Sequence, residues 1–162
     1  MTKNRPLVTR HTLQENKHRS RVLLAEDNTV NQILAHRLLE KRGYSVIVVS
    51  NGSEAVKAFE NNQFDVVLMD IQMPGMDGFE ATLAIRDKEK LTGRHVPIIA
   101  MTAHAMKGDQ ERCLSAGMDG YVSKPIRTSE LFSTIEGALV KKPPAPAIDA
   151  ASVSDPILGR TQ

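Results

Sequence analysis

Three carboxylates, a hydroxyl and an amine mark the points where short, mostly apolar runs of this sequence stop. Glu26-Asp27 closes the run 22–25, Asp70 closes 64–69, Thr102 closes 96–101, and Lys124 closes 120–123. Oxygen ligands without sulfur favour a hard divalent cation over zinc, Mg²⁺ first and Mn²⁺ as its substitute. Mg²⁺ keeps several waters and binds through one or two carboxylates plus a phosphate. Asp27 with Asp70 suits that habit, with Glu26 in the outer shell through water. Lys124 adds a point charge suited to a carboxylate or phosphoryl oxygen, and Thr102 one hydroxyl donor. Together these groups make an environment for phosphoryl transfer, in which catalysis is positioning plus electrostatic stabilisation of spreading negative charge. Asp70 is the candidate nucleophile, because the loop with Pro74, Gly75 and Gly78 follows it and leaves its side chain accessible. Aspartyl phosphates are established covalent intermediates. Crowded carboxylates repel, so Asp27→Ala is expected to stabilise the metal-free protein.

The elements that must position these residues follow from the apolar pattern. Val22-Leu23-Leu24-Ala25 is a continuous apolar run, the mark of a strand buried on both faces. Val30, Ile33, Leu34, Leu38 and Leu39 recur at helical spacing, and Gly43 follows as a stop. The alternation continues with strands over 46–49, 64–69, 96–101 and 120–123. Helices are expected around Ala55, Val56 and Phe59, over 79–88, over 107–116 and over 128–139. In the last, Leu131, Phe132, Ile135 and Leu139 point inward. Five strands alternating with five helices predict an α/β fold, a parallel sheet covered on both faces with right-handed crossovers. The carboxyl ends of such strands share one edge, where ligands bind. Polar residues begin loops everywhere, which explains any one of the five but poorly explains the set.

Composition narrows the class. The 162 residues hold one ordinary domain plus tails, with no Trp, so Val, Ile, Leu, Met and Ala build the core. No apolar run approaches a membrane span and no secretory signal is visible, so membrane contact is not expected and a cytoplasmic setting is. The single Cys113 precludes an intramolecular disulfide and a multi-thiolate zinc site. Residues 1–21 carry six basic side chains against Glu15, while the remainder is net acidic. The segment 1–20 reads as a disordered basic leader without the aromatic residues of a nucleic-acid site. The Pro/Ala stretch from 141 to 162 reads as a linker or tail, leaving 21–140 as the domain.

At the level of motifs, the chain resembles the receiver domains of two-component response regulators over roughly 21–139. Glu26-Asp27 matches the acidic pair of that family, and Met69-Asp70-Ile71-Gln72-Met73-Pro74-Gly75-Met76-Asp77-Gly78 the phosphoacceptor segment. Ala100-Met101-Thr102-Ala103 matches the hydroxyl-bearing strand, and Tyr121-Val122-Ser123-Lys124-Pro125 the aromatic-plus-lysine segment. The resemblance implies a flavodoxin-like (βα)5 sandwich with strand order 2-1-3-4-5. It implies that Asp70 takes a phosphoryl group from a partner phosphohistidine, and that Asp27, Asp70 and the backbone carbonyl of Gln72 ligate Mg²⁺ with Glu26 in support. Thr102 would bond a phosphoryl oxygen and Lys124 the acyl phosphate. Tyr121 would move inward as the face of the fourth helix, fifth strand and fifth helix changes shape. The Lys124–Pro125 peptide is expected to be cis. The segments Glu26-Asp27-Asn28 with Asn31-Gln32, Thr102-Ala103-His104-Ala105-Met106 and Ala116-Gly117-Met118-Asp119-Gly120-Tyr121 resemble receivers carried by hybrid sensor histidine kinases. The implied partners are a histidine kinase core and a histidine phosphotransfer domain, with the chain a piece of a larger, membrane-tethered sensor.

Plainer readings apply to other residues. His104, two positions after Thr102, is a candidate modulator of the phosphoryl lifetime, although an exposed loop histidine is the default. Cys113 with Leu114, and the methionines Met69, Met73, Met76, Met101, Met106 and Met118, read as core and loop packing. Two other functions fit the same residue types. A stand-alone single-domain regulator needs no parent kinase. An aspartate-dependent phosphatase needs a second acid two residues after the nucleophile, where Gln72 stands instead.

Overall fold

A computed structural model describes residues 19–103 and 107–141. Residues 1–18 of the expected leader 1–20, residues 142–162 of the expected tail 141–162, and His104 lie outside the described residues. Strands β1 (Arg21–Ala25), β2 (Ser45–Val49), β3 (Val66–Asp70), β4 (Ile98–Thr102) and β5 (Gly120–Ser123) alternate with helices α1 (Thr29–Lys41), α2 (Gly52–Asn61), α3 (Gly78–Glu89), α4 (Lys107–Ser115) and α5 (Thr128–Lys141). The strands form one parallel sheet in the order β2-β1-β3-β4-β5, as the motif resemblance implies.

The continuous apolar runs are explained by two cores, one on each face. Leu23, Val67, Met69, Ile98 and Ala100 point to one side, with Ala55 of α2, Ala81 and Ile85 of α3, and Cys113 of α4. Val22, Leu24, Val66, Leu68, Ile99 and Met101 point to the other, with Leu39 of α1 and Leu131, Phe132 and Ile135 of α5. Side chains of a strand alternate between faces, so a strand buried on both needs no polar positions. Cys113 is buried in this core, and burial pushes its thiol pKa upward.

Three helix starts are set locally. Asn28 caps α1 by accepting from the Asn31 N–H, Asn51 caps α2 through the Glu54 N–H, and Asp77 with Glu80 forms a capping box at α3. Two strand starts fall two residues later than expected. β4 begins at Ile98 rather than at 96, because Pro97 has no N–H to donate to the ladder. β3 begins at Val66, with Asp65 just before it bound to Arg21 twice, its N–H donating to the Arg21 carbonyl and its carboxylate accepting the Arg21 N–H, each at 2.8 Å.

The apolar stripe expected of α1 is only half inward. Ala35 and Leu39 are buried and Leu38 packs beside them, whereas Val30 is 72% exposed, Ile33 47% and Leu34 43%. At about 100° per residue, positions 35, 38 and 39 share one side, and 30, 33 and 34 turn away from it. Leu114 likewise faces outward from α4, one residue after buried Cys113.

Candidate phosphoryl-acceptor site

The carboxyl ends of β1, β3, β4 and β5 meet at one edge of the sheet. Asp70 is the last residue of β3, paired in register with Met101, so Thr102 lies one step beyond it on the neighbouring strand. Thr102 pairs with Ser123, and the Lys124 N–H continues that ladder to the Thr102 carbonyl at 2.8 Å. Four stretches far apart in sequence are thus brought level by parallel registration. Glu26, Asp70 and Thr102 are buried, while Asp27 is exposed.

The amine of Lys124 lies between two acids. Nζ is 3.0 Å from Glu26 Oε1 and 3.0 Å from Asp70 Oδ2. Asp70 Oδ1 accepts the Gln72 N–H at 3.0 Å, and Glu26 Oε2 accepts the Asn28 N–H at 3.0 Å. The Lys124–Pro125 peptide is cis, as expected from the motif. Tyr121 is half-buried and packs against the α2/α3/α4 core. His104, the proposed modulator, cannot be placed against these groups because it falls outside the described residues.

Two glycines let the loop after Asp70 fold back over the strand ends. A Cβ on Gly78 would run into the Asp70 carbonyl oxygen and come within 2.7 Å of the Ile71 Cα. One on Gly52 would strike the Met76 carbonyl, which itself accepts the Gly52 N–H at 3.2 Å. The sequence marks both as turn glycines, but their close approach to backbone belongs to the fold.

Electrostatics at this edge is unbalanced. Carboxylate oxygens of Glu26, Asp27 and Asp70 all lie within 4.8 Å of one another. One ammonium faces three acids, which leaves a deficit of two positive charges when all are ionised. Glu26 Oε1 is moreover buried, with the shared Lys124 ammonium at 3.0 Å. An all-oxygen donor set with a double negative excess fits a small divalent cation.

Burial drives the Asp70 carboxyl up to about 6. The Gln72 N–H and the Lys124 ammonium oppose the rise, and the Glu26 charge adds to it. Burial alone would lower the Lys124 pKa, but its bonds to Glu26 and Asp70 hold it above the ordinary value. Relief of crowding is still the expected result of Asp27→Ala in the metal-free protein, because the Asp27 carboxylate lies within 4.8 Å of the other two.

A pH dependence follows for the metal-free protein. The folded-state pKa of Asp70 lies above its unfolded value of 3.8, so its share of stability is fully present below that pH and is lost as pH rises through about 6. Denaturant midpoints measured in EDTA should show the unaltered protein losing stability relative to Asp70→Asn as pH rises from 4 to 8. Parallel curves for the two proteins would contradict this electrostatic account.

The family model for the response regulator receiver domain matches residues 22–136. The chain belongs to that family. Receiver domains of two-component signalling accept phosphoryl groups, and those similar to this chain come from two kinds of protein. One is hybrid signal transduction histidine kinase I of Dictyostelium discoideum, 47% identical over 126 residues that make up 75% of this chain and 7% of that protein. Another is the polar-differentiation response regulator DivK of Brucella anthropi, 42% identical over 118 residues, 73% of this chain and 94% of DivK. The chain thus spans a small share of the kinases it matches but nearly the whole of the stand-alone regulator. Among solved structures, the receiver domain of sensor histidine kinase PA1611 from Pseudomonas aeruginosa PAO1 is 43% identical with a TM-score of 0.69. The match covers 75% of this chain and 98% of that one, which holds a magnesium ion coordinated in its active site cleft. The receiver domain of Saccharomyces cerevisiae Ssk1, crystallised with the histidine phosphotransfer protein Ypd1, is 30% identical with a TM-score of 0.72, over 85% of this chain and 95% of that one. No helix among the described residues is long and apolar enough to cross a membrane.

Proposed function

We propose that this receiver accepts a phosphoryl group from phosphohistidine onto Asp70, with Mg²⁺ beside it. The observation that carries the reading is a single ammonium shared by Glu26 and Asp70, 3.0 Å from each, next to a third, exposed carboxylate. Asp27, Asp70 and the Gln72 carbonyl would hold the ion, with Glu26 in the outer shell. Bound there, the cation would neutralise charge on the phosphoryl oxygens.

The remaining roles fall to the chain itself. Asp70 Oδ2 attacks phosphorus as the P–N bond to imidazole breaks. The imidazole leaves neutral, keeping the proton on its other nitrogen. Lys124 then trades its bond to the Asp70 carboxylate for one to a phosphoryl oxygen. The Thr102 hydroxyl supplies a second donor, and Tyr121 follows inward on the α4-β5-α5 face. Gln72 rules against the phosphatase alternative, because an amide two residues after Asp70 cannot protonate a leaving group. Incubation with a phosphomonoester and Mg²⁺ is expected to give no sustained turnover.

Similarity to histidine kinase receivers supports a place in a hybrid sensor kinase. The near-complete coverage of DivK favours, as a second reading, a stand-alone regulator. Both need a partner that brings phosphohistidine to Asp70. The outward Val30, Ile33 and Leu34 of α1 lie just beyond the cap residue Asn28, beside the acids, and offer that partner an apolar landing surface. Ile33→Glu should slow transfer from a phosphorylated histidine phosphotransfer protein about tenfold. Uptake from acetyl phosphate should stay unchanged in the same variant. Equal slowing with both donors would mean that the helix serves the chemistry and not the docking.

A further inference from the structure

The first two turns of α1 are inverted. Val30, Ile33 and Leu34 face out, while the polar Asn31 and Gln32 are half-buried. At 100° per residue, Gln32 lies on the same side of the helix as buried Ala35 and Leu39. An amide turned inward where a valine, an isoleucine and a leucine are turned outward calls for a reason, and its contacts supply one.

The Gln32 side-chain nitrogen donates to the backbone carbonyl of Glu26 at 2.5 Å and contacts Ser50 Oγ at 3.1 Å. A carbonyl oxygen only accepts, so the amide nitrogen and not its oxygen must face it. Both amide hydrogens are then used. Ser50 is itself held, its N–H donating to Glu54 Oε1 at 2.8 Å. The Glu26 N–H continues the sheet ladder to the Val49 carbonyl at 3.0 Å. Beyond that bond the chain leaves the sheet, and the next peptide has no ladder partner to fix it.

That peptide is the one between Glu26 and Asp27. Its carbonyl oxygen and the Asp27 nitrogen belong to one rigid plane. Holding the oxygen therefore fixes the plane and limits the direction in which the Asp27 side chain leaves the backbone. We propose that Gln32 is a positioning residue for the metal site: it orients Asp27 toward the ion by anchoring the Glu26–Asp27 peptide to the end of β2. The inference rests on the Mg²⁺ reading given above. Outer contacts of this kind tune metal affinity without touching the metal.

The test uses the full chain and Mg²⁺ alone, titrated calorimetrically, with Gln32→Met, Ser50→Ala and the double variant. Met keeps the length of Gln and removes the donor. Gln32→Met should weaken Mg²⁺ binding about tenfold. Ser50→Ala should weaken it less, and should add nothing in the Gln32→Met background, because both changes act through one contact. In the metal-free protein, the Glu26 carbonyl ¹³C resonance should move upfield in Gln32→Met as its hydrogen bond is lost, which a general loss of stability would not produce. Unchanged Mg²⁺ affinity in a folded Gln32→Met, with the unaltered chain binding normally, would overturn the positioning role. Absence of Mg²⁺ binding by the unaltered chain would remove the site reading and this inference together.

Discussion

Treated with acetyl phosphate and Mg²⁺, the unaltered chain gains the mass of one phosphoryl group, and Asp70→Asn gains none. The expectation is all-or-none because the change removes the nucleophile. An amide oxygen carries no charge, and a mixed anhydride cannot form on it. The substitution preserves shape, and Asn can still accept the Gln72 N–H and the Lys124 ammonium now found on Asp70. Loss of uptake would therefore not reflect loss of fold, which far-UV circular dichroism would confirm. EDTA should produce the same silence in the unaltered chain while leaving it folded, since Lys124 already ties Glu26 to Asp70 without an ion. Labelling that persists in Asp70→Asn would point to another acceptor, with Asp27 the exposed acid beside it, and would end the present assignment.

The second large effect lies at the opposite pole of the sheet. Arg86→Met is expected to lower unfolding free energy by about 3–5 kcal/mol, read from denaturant midpoints at constant slope. Arg86, near the end of α3, reaches four acceptors. These are Glu89 Oε1 at 2.7 Å, the Val96 carbonyl at 2.8 Å, the Gly117 carbonyl at 2.9 Å and Asp119 Oδ2 at 2.7 Å. Glu89 is buried, and its other oxygen takes the Val96 N–H at 2.5 Å. Asp119 also takes the Ile98 N–H at 2.8 Å and contacts His95 Nε2 at 2.7 Å. The guanidinium thus joins α3 to the segments that lead into β4 and β5.

Losing the arginine leaves the Glu89 carboxylate buried without a cation, which costs more than the pair contributed. The double change Arg86→Met with Glu89→Leu should regain part of the loss, because it leaves no stranded charge at that position. A shift below about 1 kcal/mol for Arg86→Met would show that water replaces the guanidinium at little cost. Because β4 and β5 carry Thr102 and Lys124 at their far ends, this cluster also helps set the height at which those side chains reach the site.

Much of the fold was legible because its signals are local. Continuous apolar runs name strands buried on both faces, and Asn28, Asn51 and the Asp77–Glu80 pair name helix starts through contacts three residues apart. The misreadings share one cause. The α1 stripe and Leu114 looked inward because they are apolar, and only neighbours distant in sequence decide which side of a helix is covered. Pro97, which has no N–H for the ladder, marks the start of β4 in the sequence itself. Gln32 stood out in the sequence only through the motif it belongs to, since an amide on a helix is ordinarily a solvated one.

By itself, the sequence determined which residues stand at strand ends, and hence that acids, a hydroxyl and an amine would share one edge of a parallel sheet. That follows from chain geometry, since parallel strands place their carboxyl ends together. Only the tertiary structure decided that Lys124 lies between Glu26 and Asp70, that Glu26 is buried while Asp27 is open, and that Asp70 holds its proton to about pH 6. Desolvation and Coulomb interaction depend on distance through space, and the partners that set them come from stretches of chain that meet only when the sheet has formed.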